Sequence, residues 1–424
     1  MKNKALAAAI AAALCVSGGA NAASVDELAQ VREQLRNLVQ RVDRLEQENA
    51  ALKSQNDALT GQTPKTGADR AGEDAAMFLT GADWPSRTSV RGDVRYRHQQ
   101  TDDARVTAER DEHLLRARVS VEAKATDNIV AGIGFSTSEG GNPRGANVRL
   151  DGEFSRKSLY IELGYVDWTF AQGAHAVLGK MRVPFVRPGQ SLFWDNDVNP
   201  EGVAATYANG PWFGAGYGFW VEENVQFVST PDPANDATDT KMYGVQFGRR
   251  FDLGTSNLVL GAMYYDLAAA RGRRPFFNNS GNGNSMNASG GLAYDYQVVE
   301  LMAEYNAKLA QLPLQLWLDF AQNQDAVLDT ALSAGVLLGK AANPGSWEAG
   351  LAYQIIEKDA LFAQHIDSDF AGGVTDSEGW ILRAGYAPLK NWSLNATYFM
   401  TDGNVDVGNE FDYDRLLLDF NVKF

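Results

Sequence analysis

Cysteine is nearly missing: the 424 residues contain one, Cys15. It lies in an apolar N-terminal run that reads as a cleavable leader, so the mature chain is expected to hold no thiol and no disulfide. Leu14 stands where a lipid-attachment signal needs a small residue, which argues against lipidation. No apolar run beyond residue 16 approaches the roughly 20 residues that a membrane helix needs, and mean hydropathy is −0.29. Helical spans are thereby excluded, but membrane strands are not, because their alternation dilutes hydropathy. Basic charge is also scarce: 38 Lys and Arg face 53 Asp and Glu, for a net charge of −15 with no basic tract. That balance argues against a nucleic-acid partner. The four histidines, His98, His113, His175 and His365, have no metal-ligand spacing. Gly-x-Ser-x-Gly elbows and phosphate loops are absent too, so no catalytic residue, metal or cofactor is expected.

Three segments precede the bulk of the chain. Met1 to Ala22 has the parts of a secretory leader: Lys2 and Lys4, apolar Ala5 to Val16, and the small-residue site Ala20-Asn21-Ala22. Residues 24–60 carry a 3.5-residue apolar period. Leu28, Leu35, Val42, Asn49 and Asn56 fall at heptad position a, and Val31, Leu38, Leu45, Leu52 and Leu59 at d, which makes a coiled-coil seam. The pairs Arg41/Glu46 and Glu48/Lys53 are opposite in sign for parallel chains. The run Arg41-Val42 … Leu45-Glu46 is similar to the trimerisation motif of parallel coiled coils, whereas Asn at position a is better known from dimers. A trimer is the expectation and a dimer the alternative. Residues 61–86, with Gly61, Pro64, Gly67 and Gly72 among small polar residues, read as a linker.

From residue 87 to 424 the pattern is strands and turns. Sixteen antiparallel strands are expected in one all-β transmembrane barrel, or eighteen if the runs 212–228 and 291–308 each split. The last strand alternates most clearly, with Leu416, Leu418, Phe420, Val422 and Phe424 on one face and Asp419, Asn421 and Lys423 on the other. Short connections such as Thr126-Asp127 and Asn209-Gly210-Pro211 alternate with long ones such as 138–156, 184–201 and 357–378. A barrel with turns on one side of a membrane and loops on the other keeps that parity, and a soluble sandwich has no reason to.

Phe420, Val422 and the terminal Phe424 resemble the C-terminal assembly signal of bacterial outer-membrane barrels. Arg91-Gly92-Asp93-Val94-Arg95-Tyr96-Arg97, Tyr165-Val166-Asp167-Trp168 and Gly179-Lys180-Met181-Arg182-Val183-Pro184-Phe185 resemble the putative-porin family of Gram-negative bacteria, which is similar to the phosphate-selective porins. The N-terminal coil resembles that of some dicarboxylate-associated trimeric porins. Both ends of the barrel fall on the short-turn side, which puts the coil in the periplasm, and the missing catalytic signals give no enzymatic role. The likeness implies a sixteen-stranded homotrimeric channel of the outer membrane, set in lipid and lipopolysaccharide. It implies passage of small hydrophilic solutes and does not choose among them. Two rivals stay open: a structural tether acting through the coil, and a channel specific for organic acids or phosphate.

Alternation sorts side chains between lipid and lumen, since Lys and Arg are costly on the lipid face. Inward positions are expected for Arg91, Asp93, Arg95, Arg97, Arg116, Arg118, Glu122, Lys180 and Arg182, with Val177, Met181 and Val183 toward lipid. Fixed charges in a water-filled pore set ion preference. The arginines therefore form either an anion-attracting ladder or a set neutralised by Asp93, Glu122 and loop carboxylates. The resemblance places the third long loop inside the pore, where Arg187, Asp195, Asp197 and Glu201 would form a constriction whose acids face the basic wall. Arg271, Arg273 and Arg274 in the fifth loop would guard the mouth or bind lipopolysaccharide phosphates.

Overall fold

The structure, a computed structural model, describes residues 84–222, 239–277 and 280–424, together with Gln40, Arg41, Arg44 and Gln47. The chain divides into two units, residues 1–80 and 81–424. In the first unit the four described residues are helical and exposed. Val42, Leu45 and Glu46 of the expected trimerisation motif lie outside the described residues, as do the leader and the linker up to residue 83.

The second unit opens with a helical turn, Trp84–Arg87, and continues as strands. These are β1 (Thr88–Asp103), β2 (Arg110–Lys124), β3 (Ile129–Thr137), β4 (Val148–Arg149), β5 (Leu159–Ala171), β6 (Ala174–Lys180), β7 (Glu201–Asn209), β8 (Trp212–Glu222) and β9 (Thr240–Asp252). There follow β10 (Asn257–Ala268), β11 (Tyr296–Leu309), β12 (Leu312–Asn323), β13 (Thr330–Gly339), β14 (Trp347–Ile356), β15 (Ser377–Tyr386), β16 (Trp392–Gly403) and β17 (Phe411–Lys423). Apart from the two-residue β4, which pairs with β2 inside the second long loop, each strand runs antiparallel to its neighbour in sequence. β17 pairs with β1 from Asp93↔Lys423 to Asp103↔Tyr413 and closes a sixteen-strand barrel, so neither edge stays open. The expected strands all form, and among the described residues the two candidates for splitting are single strands, 212–222 and 296–309.

Phe424 sits at the closure. Its N–H donates to Gly92 O at 3.0 Å and its carbonyl accepts from Gly92 N at 2.9 Å. The ring lies where a Cβ on Gly92 would be, so β1 is glycine there to receive it.

The outer surface reads as a membrane belt. Val90, Val94, Ile133, Val166, Val245, Leu301, Leu382 and Phe420 are exposed around it. At the short-turn edge stand Phe170, Trp212, Trp347, Tyr386 and Trp392, and toward the long loops stand Tyr160, Trp220, Tyr243, Tyr264 and Trp380. Two aromatic girdles around an apolar band are the signature of a barrel in a bilayer. β1 runs on to Asp103, and its outward Gln100 and Asp102 are polar. Above the hydrocarbon layer the alternation that marks a lipid face is no longer required.

Candidate functional site

Among the described residues, loop 3 (residues 181–200) and loop 7 (residues 357–376) pack together inside the lumen. The family resemblance places the third long loop, expected at 184–201, there, whereas the seventh, expected at 357–378, reads in the sequence as an external connection. Loop 7 contains Leu361, Phe362, Ile366 and Phe370, all buried, and that apolar content is the sequence signal that it does not project into water. These residues join Phe185, Phe193 and Trp194 of loop 3 and the inward Tyr217, Phe219, Met263, Tyr265, Val298 and Trp317 in one internal apolar cluster. Each such side chain contributes about 1.5–3 kcal/mol on leaving water.

One side of the lumen is therefore dry, and this corrects the faces assigned near β6. Met181 is 2% exposed within the internal cluster, with Val177 and Val183 packed on it, while Leu178 is exposed. An inward position must be polar only where it meets water, and on this side it meets the loops.

Side chains from five strands clasp loop 3. Gln246 of β9 both accepts from Val186 N (2.8 Å) and donates to Val186 O (2.7 Å). Glu304 of β11 accepts from Gly189 N (2.7 Å), Asp319 of β12 from Ser191 Oγ (2.6 Å) and Gln354 of β14 from Leu192 N (3.2 Å). Arg383 of β15 donates to Gln190 Oε1 at 2.6 Å. Gly189 has φ +49°, and a Cβ there would collide with the Trp317 ring.

Loop 7 is fastened to loop 3 and to its neighbours. The His365 and Trp194 rings stack at 4.9 Å, Asp195 N donates to His365 O (2.8 Å), Asp367 N to Leu192 O (3.1 Å) and Ser368 N to Asp195 Oδ2 (3.0 Å). Buried Asn284 of loop 5 donates to Lys358 O and Leu361 O, both at 2.9 Å, and accepts from Ala363 N at 2.8 Å. Burial and the Arg144 charge keep His365 neutral, its pKa down to about 3.

The wetter side is walled by β1, β2 and β17. Arg116 and Arg118 share Asp93, with Arg116 Nη2 at 3.0 Å and Arg118 Nε at 2.9 Å. Arg97 forks onto Asp419 at 2.7 and 3.0 Å and reaches Asp369 of loop 7 at 2.9 Å. Arg95 donates to Asn147 Oδ1 at 2.7 Å and lies 3.8 Å from Asp419. Arg415 donates to Asp369 Oδ1 at 2.9 Å. Between wall and loops is a cavity of about 430 Å³. Eight arginines line it (Arg95, Arg97, Arg110, Arg116, Arg144, Arg149, Arg383 and Arg415), and seven carboxylates (Glu112, Glu139, Asp195, Asp197, Asp367, Asp369 and Asp419).

The expected site residues divide accordingly. Arg95, Arg97 and Arg116 line the cavity, and Asp93 and Arg118 stand beside it, joined to Arg116 and Asp197. Arg91 and Glu122 pair at 3.9 Å nearer the turn end, with Arg91 largely exposed. Lys180 ends β6 and pairs with Glu201 at 2.9 Å, and Arg182 is exposed just beyond. Of the four loop-3 residues, Asp197 alone meets the arginine wall, at 3.5 Å from Arg118. Asp195 is buried against loop 7, and Arg187 braces its own loop through Trp194 O and Asn196 Oδ1, each at 2.8 Å. Glu201 is already the first residue of β7. In loop 5, Arg271 pairs with Asp325 at 3.3 Å and Asp295 at 3.8 Å, and Arg273 is buried. Alternation along strands did not reach Arg144, Arg149, Asp367 or Asp369, because they lie in loops or in a two-residue strand.

A closed sixteen-strand barrel with an apolar, aromatic-edged exterior and a charged lumen narrowed by inward loops defines an outer-membrane channel. The chain belongs to the family described as "Putative porin", whose profile matches residues 100–287 and 276–424. It is a porin of the outer membrane, and not an enzyme. OprB of Pseudomonas putida is similar in fold, at 10% identity and a TM-score of 0.55 over 84% of this chain and 97% of that one. A Salmonella typhi OmpF (11%, TM-score 0.48; 80% and 97%) and a mutant Rhodopseudomonas blastica porin (13%, 0.45; 80% and 100%) also match. No curated protein matches the sequence.

Proposed function

We propose that this porin passes small hydrophilic solutes by passive diffusion and prefers anions. The carrying observation is that three cavity arginines hydrogen-bond to neutral partners, with Arg95 also 3.8 Å from Asp419. Arg95 donates to the Asn147 amide, Arg383 to the Gln190 amide, and Arg144 to the carbonyls of Ala363 (2.8 Å) and Gly373 (2.9 Å). Their charge is thus less compensated at short range than that of Arg97, Arg116 or Arg118, each of which has a carboxylate within 3.0 Å. Guanidinium groups stay protonated at any physiological pH and fork onto carboxylate and phosphate. Small organic acids and phosphate are accordingly the solute classes the wall suits.

The assembly we propose is a homotrimer in lipid and lipopolysaccharide, with residues 24–60 as a periplasmic coiled coil, residues 61–86 as linker and residues 1–22 as a leader. Arg41, Val42, Leu45 and Glu46 would act in trimerisation, and Phe420, Val422 and Phe424 as the assembly signal. The reversal potential across a planar bilayer in a salt gradient tests the selectivity. Wild-type protein is expected to give the anion sign, and a cation sign would overturn the reading.

A further inference from the structure

The wall charge is modified from outside the wall. Arg97 Nη1 and Arg415 Nη1 donate to opposite oxygens of Asp369, each at 2.9 Å, and Arg415 also bonds Ser368 O (3.1 Å) and Tyr413 Oη. Arg97 shares Asp419 with Arg95. Three guanidiniums therefore share two carboxylates, Asp419 and Asp369. Asp419 belongs to β17, but Asp369 belongs to loop 7 and would not be there if that loop pointed outward. Hydrogen bonding and packing hold it there. Asp367 Oδ1 accepts from its N–H at 2.9 Å, and the next residue, buried Phe370, starts a 3-10 turn packed in the internal cluster.

We infer that Asp369 is a specificity-determining residue of the channel, a loop carboxylate whose charge lowers the anion preference that Arg97 and Arg415 would otherwise give the cavity. The inference rests on the porin reading. One unit charge a few ångströms from an ion in water changes its relative population by about two- to fivefold, more at low salt.

The test compares Asp369→Asn, Asp369→Glu and Asp369→Ala with wild type in planar bilayers, with heat-modifiable gel mobility as the check that each barrel is folded. Asp369→Asn keeps an acceptor for the arginines and removes the charge. It is expected to raise the anion-to-cation permeability ratio about four- to twenty-fivefold, because the charge acts on the two ions in opposite senses, with the larger change at low salt. Asp369→Glu keeps the charge and is expected to retain the wild-type ratio. Asp369→Ala removes the bonds as well, and is expected to add a rise in conductance as loop 7 loosens. A wild-type ratio in folded Asp369→Asn would overturn the inference, as would equal shifts in the Asn and Glu variants. Absence of any pore from wild type would instead count against the porin reading itself.

Discussion

At the scale of single residues, burial gives some loop carboxylates unusual behaviour. Asp367 lines the cavity from loop 7. Burial and the neighbouring Asp369 raise its pKa to about 6, despite the opposing pull of Arg383 and Arg97. Asp369 goes the other way: burial would raise it, but Arg97 and Arg415 hold it well below the usual carboxylate range. As pH falls from 7 to 5, Asp367 takes up a proton while Asp369 stays charged. Asp195, which also lines the cavity, is raised by burial and by Asp367 as well, so the cavity loses negative charge and the anion-to-cation ratio is expected to rise as pH falls through about 6. Reversal potentials measured across that range check it, and Asp367→Asn should already move toward the low-pH ratio at pH 7. A flat profile in wild type would refute the assignment.

At the scale of elements, the closing strand and the inward loops have different tasks. β17 meets β1 over eleven residue pairs, and the Phe424 ring rests on Gly92. Removal of Phe424 is expected to lower the yield of folded, heat-modifiable barrel and leave the conductance of inserted channels unchanged, because the ring faces lipid and not the cavity. A normal yield without it would sink the proposed assembly role. Elements also show how far the sequence could be read. The sixteen strands were legible because Leu416, Leu418 and Phe420 on one side of an element and Val90, Val94 and Tyr96 on another report a lipid face. The place of loop 7 was not legible from that rule. Its Leu361, Phe362 and Ile366 have no regular period, because they pack against loops and several strands at once. The faces near β6 failed for a related reason: Met181 is inward and apolar because loop 3 fills the space that water would have held.

At the scale of the whole molecule, the barrel and the N-terminal segment are proposed to separate permeation from assembly. Deletion of residues 24–60 is expected to reduce the trimer yield on native gels while single-channel conductance per barrel stays at the wild-type value. A changed conductance would mean that the coil takes part in permeation. Loss of envelope integrity with normal trimers would favour the tether. The net charge of −15 is no guide to ion preference, since the cavity presents eight arginines against seven carboxylates. Selectivity belongs to the narrow place, where distances are a few ångströms, and distant surface charge is screened within about a Debye length.

The sequence by itself determined the class of fold and narrowed the strand count to sixteen or eighteen, and the structure has sixteen. Each depends on a period-two pattern that the lipid enforces locally, one residue after another. It also determined that Arg95, Arg97 and Arg116 face inward, since hydrocarbon rejects them. Only the tertiary structure decided which arginines keep neutral partners, which side of the lumen is dry, and that Asp369 arrives between Arg97 and Arg415. Asp369 lies 272 positions from Arg97 along the chain. That contact follows from how two loops pack inside a closed barrel, and no local pattern records it.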